Sequence, residues 1–253
     1  LIFACALIPV GTQARTGLVC VAILCMLYLR TAKHRFLIAG GMALVAVLAV
    51  PFLPQSFMKR MNTIENHQSD QSASTRLAMW KWTWEYAKQH PFGGGFYAYQ
   101  SAVVHYDTYV AKTSGSTTVV EATPVEEKGR AYHSSYFEML GEQGYPGLAL
   151  WLALQLTGVL QMELIRRKWR ARTGPDEAWV APLANALQLA HIVYMVGSLF
   201  VGIAFQPFIL MLIGLQCGFW SYIKRIDQPG REPVRKGPLR MQVKAVSDPV
   251  AAA

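Results

Sequence analysis

A histidine directly before a short helical pattern is the residue best placed for chemistry in this sequence. His133 ends a long polar stretch, and residues 134–143 after it predict a short helix that Gly144 closes. A helix N-terminus favours the neutral imidazole and attracts anions. A neutral imidazole at a membrane surface is a suitable general base for an incoming hydroxyl group. The alternative is that His133 is a surface or packing histidine.

Two arginines carry the second candidate chemistry. Arg15 lies in a short polar link, residues 11–17, and Arg76 lies near the start of a helix predicted over residues 74–89. The guanidinium fork matches the oxygens of a phosphate group, so the pair could hold a lipid-linked diphosphate. The alternative for each arginine is snorkelling to lipid headgroups. Four further basic residues are weaker candidates: Lys81, Lys88, Lys112 and Arg130.

Four other residues are predicted to touch a substrate. The run Phe-Gly-Gly-Gly-Phe at residues 92–96 allows the backbone to turn or to approach a ligand closely, which makes Gly94 and Gly95 candidates. Trp80 on the aromatic helix and Ser134 beside the histidine are the other two. Glu138 and Glu142 are one helical turn apart and are interpreted as a solvated helix face rather than a catalytic acid pair.

The sequence predicts neither a metal site nor a cofactor. The histidines of the polar stretch, at positions 67, 90, 105 and 133, lack the close spacing of a zinc site. All four cysteines lie in apolar runs.

Composition places the chain among membrane proteins. Of its 253 residues, 53% are hydrophobic and only 15% are charged, and the apolar residues form long runs. The predicted fold class is all-α, a polytopic transmembrane helical bundle with a large periplasmic loop that contains short helices. The net charge of +9 is concentrated in short links and in the tail, which argues against a nucleic-acid partner.

Four regions are predicted. Residues 1–53 are transmembrane helices, residues 54–145 a periplasmic loop domain, residues 146–223 further transmembrane helices, and residues 224–253 a disordered basic tail. Because the sequence opens inside an apolar run, we expect it to be the C-terminal part of a longer bundle. The spans after the loop are predicted at residues 146–165, 178–201 and 206–223. Within the loop, residues 101–130 are predicted to be irregular, with weak strand character at 116–120.

Charge predicts the orientation. The link at residues 30–35 has three basic residues and no acid, and the link at 166–177 has five basic residues against two acids. The positive-inside rule therefore places both links and the C-terminal tail in the cytoplasm. Residues 11–17 and 54–145 then share the outer side. Basic residues on that side do not help to set the orientation, so Arg15 and Arg76 need another explanation. The aromatic helix at 74–89 is predicted to lie at headgroup level.

The spacing of these residues resembles a known family. His133-Ser134, nine residues, Gly144, two residues and Gly147 is similar to the signature of the O-antigen ligase and polymerase superfamily. Arg15 within Thr-Gln-Ala-Arg-Thr-Gly-Leu resembles the family's short-loop arginine, and Arg76 resembles the arginine that opens its large periplasmic loop. The amino-acid sequence of the histidine motif and of residues 91–96 resembles that of the exosortase-associated O-glycosylation ligases.

The resemblance implies a metal-independent, inverting glycosyltransferase of the bacterial inner membrane. The implied donor is a glycan on undecaprenyl diphosphate, the implied acceptor a lipid or a protein, and membrane lipids surround the enzyme. By the same resemblance, Arg15 and Arg76 would bind the diphosphate, and His133 would deprotonate the acceptor. A polymerase of lipid-linked repeat units is one alternative. A lipid or polysaccharide transporter is another, although it should carry ionisable groups deep within its spans.

Overall fold

The protein is described here by a computed structural model that covers residues 8–9, 12, 14–30, 32–49, 51, 71–114 and 117–227. The predicted tail beyond residue 227 and the first part of the predicted loop, residues 52–70, lie outside these ranges. Six α-helices and one β-hairpin are described. In chain order they are α1 (Arg15–Leu29), α2 (Arg35–Ala49), α3 (Gln71–Gln89), β1 (Val103–Ser114), β2 (Thr117–Lys128), α4 (Ser135–Trp169), α5 (Val180–Gly197) and α6 (Pro207–Ile226).

The helices α4, α5 and α6 are each long and apolar enough to cross a membrane. They match the three spans predicted after the loop, and this helical membrane architecture confirms the predicted fold class. Helices α1 and α2 are apolar but shorter. Arg15 is the first residue of α1 and so belongs to a helix, not to the polar link in which the sequence placed it. The division into membrane and loop regions stays a prediction.

Helix α4 has a break at Gly144, where φ is 66° and ψ is −166°. The break separates the short helix predicted at residues 134–143 from the membrane segment that Pro146 begins, so both predicted helices are confirmed. Glycine adopts this left-handed backbone without steric cost. Proline at the first turn of the following segment fits because no helical hydrogen bond is lost there.

Residues 101–130 are the clearest difference from the sequence prediction. They form a long antiparallel hairpin in which Val103 pairs with Lys128 and Ser114 pairs with Thr117. Most of the range predicted as irregular is therefore strand, at residues 103–114 and 117–128, and the weak strand signal at 116–120 marked part of β2. Val104 and Ala102 at the base of the hairpin pack with Met79 and Tyr132 in a small core.

Helix α3 confirms the helix predicted over residues 74–89 but begins earlier, at Gln71. Its buried stripe is Thr75, Met79, Thr83 and Ala87, at a spacing of four residues, while Leu77 and Trp84 are exposed. The small side chains are buried because this face packs against α4 and β1. Its position relative to lipid headgroups stays a prediction.

Candidate active site

The chain turns sharply at His133, between the hairpin and helix α4. Its φ is 52°, a left-handed conformation that few residues other than glycine adopt, although histidine tolerates it better than most. Ser134 follows as the N-cap residue of α4, with extended backbone and a buried side chain that makes no capping hydrogen bond. The turn leaves the His133 ring half-buried at the start of the helix, as the sequence predicted.

Three charged side chains act on the His133 imidazole. Burial is the main reason that its pKa lies below the ordinary histidine value, and the positive charges of Arg130 and Arg76 lower it further. The Glu127 carboxylate opposes them. The ring is therefore neutral at neutral pH, the state that the sequence predicted. The dominant causes are burial and two guanidinium groups, rather than the helix N-terminus alone.

Arg130 is held in place by an ion pair. Its Nη1 donates to both carboxylate oxygens of Glu127, at 2.8 and 2.9 Å, and the Tyr106 hydroxyl donates to the same carboxylate at 3.0 Å. The Arg130 hydrogen bonds hold the pKa of Glu127 below its ordinary value. The Nε of Arg130 is buried and has no hydrogen-bond partner in the described part of the chain. The Nη2 of Arg130, by contrast, makes no hydrogen bond to Glu127.

The sequence had ranked Arg130 only among the weaker candidates, and it passed over Glu127. The signal that was missed is Gly115-Ser116 between two strand-like runs, since a Gly-X pair is typical of a two-residue hairpin turn. Closing that hairpin brings Tyr106 on β1 beside Glu127 on β2. The hairpin thus assembles a charged group that lies next to His133.

Trp80 supports the segment before His133. Its Nε1 donates to the Tyr132 carbonyl oxygen at 2.9 Å, and its ring stacks on Phe137 at 5.0 Å between centroids. Helix α3 therefore holds both Arg76 and a residue that fixes the backbone beside the histidine. Because the Trp80 N–H is already used, the contact it makes in this structure is a positioning one.

The glycines of residues 93–95 approach α4, not an open cleft. The N–H groups of Gly94 and Gly95 donate to the carbonyl oxygens of Gly141 and Glu142, both at 2.9 Å. A Cβ on Gly94 would lie 2.2 Å from the Tyr86 hydroxyl oxygen, while a Cβ on Gly95 would meet no atom within 4 Å. The backbone donors of both predicted substrate residues are thus engaged within the protein.

The acids of α4 are structural partners of loops, so their interpretation as a solvated face is wrong. Glu142 is buried, and its Oε1 accepts the Tyr97 N–H at 3.0 Å. Glu138 Oε2 accepts the Ala204 N–H at 2.9 Å. Each carboxylate satisfies a backbone donor that its loop could not otherwise pair. The loops they hold lie at the end of the bundle where His133 lies.

Arg15 lies at the same end of the bundle as His133. Helix α1 runs antiparallel to α5, because Cys20 contacts Val193 while Arg30 bonds Gln188 at 3.1 Å. Arg15 precedes Cys20 and so lies towards the C-terminus of α5. There, the Ser198 carbonyl oxygen accepts the N–H of Ser135, the first residue of α4, at 2.8 Å. The packing of α1 on α5 therefore brings the first helix of the chain to the histidine end.

The comparisons with known proteins give one match. A family model described as O-antigen ligase matches residues 1–152, which include Arg15, Arg76, Arg130 and His133. No curated protein and no solved structure matches the chain.

Proposed function

The chain belongs to the O-antigen ligase family of membrane enzymes, and from that premise we propose that it is an inverting glycosyltransferase. The proposed reaction moves a glycan from undecaprenyl diphosphate to an acceptor hydroxyl group at the periplasmic face of the inner membrane. The observation that carries the proposal is the half-buried, neutral His133 beside two guanidinium groups at one end of the membrane helices.

His133 is the proposed general base. Its lowered pKa keeps the imidazole free of a proton at neutral pH, so a ring nitrogen can accept one. The left-handed backbone of His133 and the Trp80 hydrogen bond to Tyr132 fix the backbone that carries the imidazole ring. A base positioned in this way avoids the reorganisation that a flexible side chain would need. Ser134, beside the base, is a proposed contact of the acceptor.

The arginines are the proposed diphosphate site. Arg76 and Arg130 both act on His133, and Arg15 lies at the same end of the bundle. A diphosphate leaving group gains negative charge as its bond to the sugar breaks, and fixed guanidinium groups stabilise that charge. Arg130 can bind one phosphate oxygen through its Nη2 while Glu127 still holds its Nη1. Trp80, Gly94 and Gly95 already make hydrogen bonds within the protein, so their proposed role is to position the site.

The proposed transfer is a single displacement. The acceptor oxygen attacks the anomeric carbon as its proton passes to His133, and the bond from that carbon to the diphosphate oxygen breaks. The products are the glycosylated acceptor, with inverted anomeric configuration, and undecaprenyl diphosphate. The proton on His133 then leaves to water, which returns the imidazole to its starting state.

A polymerase of lipid-linked repeat units would use the same residues and differ only in its acceptor. A transporter is less well supported. The buried histidine of the spans, His191, is hydrogen-bonded to Gln155 at 2.6 Å and to Gln216 at 2.9 Å. Both ring nitrogens of His191 thus have neutral hydrogen-bond partners, as expected for a buried packing residue rather than a proton relay.

Reconstitution of the full chain in liposomes with an undecaprenyl-diphosphate-linked glycan distinguishes these functions. We expect transfer to a lipid or protein acceptor, unchanged by EDTA, and loss of transfer in Arg76→Gln. Elongation of the donor glycan alone would assign the polymerase. Movement of the donor across the bilayer without transfer would overturn the enzyme proposal.

A further inference from the structure

A cleft of about 440 Å³ lies at the opposite end of the bundle from His133, between the end of α4 and the start of α5. Arg166, Arg170 and Arg172 line it, together with Trp169 and Asn185. Nothing in the proposed transfer uses this cleft, since α4 separates it from His133 by most of its length.

The three arginines of the cleft differ in how they are paired. Arg166 forms a two-point bond to Glu163, with Nε to Oε2 at 2.8 Å and Nη2 to Oε1 at 2.7 Å. Arg172 is shared between Glu177 and Asp227 and lies over the Trp169 ring, 4.0 Å from its centroid. Arg170 is exposed and makes no ion pair with any residue of the described ranges. Among the described residues, Arg170 is therefore the cleft arginine without an acidic partner, and the paired Arg166 and Arg172 lie beside it.

Two buried polar atoms of the same cleft residues are also unsatisfied. Asn185 Oδ1 and Trp169 Nε1 have no hydrogen-bond partner within the part of the chain that the structure describes. Such atoms cost free energy unless a partner reaches them. Both Trp169 and Asn185 lie deeper in the bundle than Arg170, so polar groups of a ligand would extend inward from the rim.

Apolar residues form most of the remaining wall. Ala178, Ala181 and Pro182 of the segment that enters α5 line the cleft, beside Thr173. A ligand with a charged head and an apolar tail matches this order of surfaces.

We propose that the cleft binds the headgroup of an anionic phospholipid from the membrane leaflet opposite to His133. Arg170 would contact the phosphate, and the buried Asn185 amide would receive the hydroxyl groups of a glycerol headgroup. Basic clefts between membrane helices bind anionic lipid in this way. A soluble phosphate is the less suitable occupant because the apolar wall of Ala178, Ala181 and Pro182 would remain unused.

Native mass spectrometry of the full chain in detergent tests the site, with dioleoylphosphatidylglycerol and dioleoylphosphatidylcholine as probes. We expect the protein to retain phosphatidylglycerol preferentially. Arg170→Gln should weaken that binding about fivefold, the effect of one basic residue near an anionic lipid. Ala178→Phe, which fills the cleft from an exposed position, should weaken it without loss of charge.

Arg225→Gln is the matched control, because Arg225 is exposed at the same end of the bundle and does not line the cleft. It should leave lipid binding unchanged. Equal weakening by Arg225→Gln and Arg170→Gln would show diffuse attraction to a basic surface and overturn the proposal. Equal retention of the two lipids, or displacement of phosphatidylglycerol by glycerol 3-phosphate at similar concentration, would overturn it as well.

Discussion

Burial and the surrounding charges set the proton affinity of the proposed base, His133. Burial lowers the pKa of the imidazole most, Arg130 and Arg76 lower it further, and Glu127 raises it. Glu127 also fixes Arg130 through two hydrogen bonds. Single substitutions that remove one of these charges should therefore change the pKa of His133 in either direction.

The pH dependence of transfer should follow these charges. Because the unprotonated ring is the active form, activity falls as pH drops through the pKa of His133, below the ordinary histidine range. Arg130→Gln removes a positive charge, raises that pKa and moves the acid limb to higher pH. Glu127→Gln removes a negative charge and moves it to lower pH. Profiles of kcat/KM for the two variants that shift in the same direction would contradict this assignment.

Trp80→Phe tests the support of the histidine turn. The variant keeps an aromatic ring against Phe137 but loses the hydrogen bond to Tyr132, so we expect stability to fall by about 1 kcal/mol. The rate of transfer should fall with KM little changed, because the histidine is less firmly positioned. Trp82→Phe is the control, since the Trp82 ring also stacks on an aromatic ring, that of Tyr86. Equal losses of Tm and kcat in the two variants would remove the positioning role.

At the scale of elements, the connection after α3 is docked on the break in α4. Tyr145 donates to the Pro91 carbonyl oxygen at 2.9 Å, and the N–H groups of Gly94 and Gly95 donate to residues 141 and 142. The two glycine bonds satisfy carbonyl groups of α4 that the break leaves without helical partners, and the third bond pairs the Tyr145 N–H. Residues 91–95 and the Gly144 turn therefore form one joint between α3 and α4. Helix α3 carries Arg76, and α4 begins just after His133.

Gly144→Ala should damage this joint more than Gly95→Ala. Both glycines have positive φ, so alanine costs about 1–2 kcal/mol in conformational strain at either position. At Gly144 the new Cβ would also lie 2.1 Å from the Pro91 carbonyl oxygen, whereas at Gly95 it meets open space. We expect a clearly lower Tm and little transfer for Gly144→Ala, with a mild effect for Gly95→Ala. Similar Tm values would contradict the joint.

The elements also show how far sequence reasoning reaches. Local periodicity was enough for α3 and for the three long apolar helices, and the Gly144 stop followed from glycine's backbone freedom. The hairpin was missed because the Gly-Ser turn signal at residues 115–116 was passed over, and with it the Tyr106–Glu127 contact that pairing of β1 with β2 creates. The roles of Glu138 and Glu142 depend on loops far along the chain, at Ala204 and Tyr97, which spacing within one helix cannot reveal.

On the scale of the whole molecule, the two ends of the bundle differ in charge. Arg30, Arg166 and Arg167 converge on Glu163, a helix length away from His133. The basic excess at that end is the basis for proposing that it faces the cytoplasm. His133, Arg76 and Arg15 would then face the periplasm.

Thiol labelling tests the orientation. In a chain whose native cysteines are replaced by alanine, Ser101→Cys lies near the hairpin base and Ala171→Cys lies after α4, both at exposed positions. A membrane-impermeant maleimide should label Ser101→Cys in intact spheroplasts and Ala171→Cys only after permeabilisation. The reverse pattern would place His133 in the cytoplasm.

The most direct test of the central claim, that His133 is the base of a glycosyl transfer, is the transfer rate of His133→Ala in the reconstituted system. His105→Ala is the matched control, because His105 is exposed on β1 and lies beside Glu126. We expect His133→Ala to lose about 10²–10⁴-fold in kcat, far more than the small fall in Tm from alanine at a positive φ can explain, and His105→Ala to retain full activity. Transfer by His133→Ala at the rate of the unaltered chain would contradict the account.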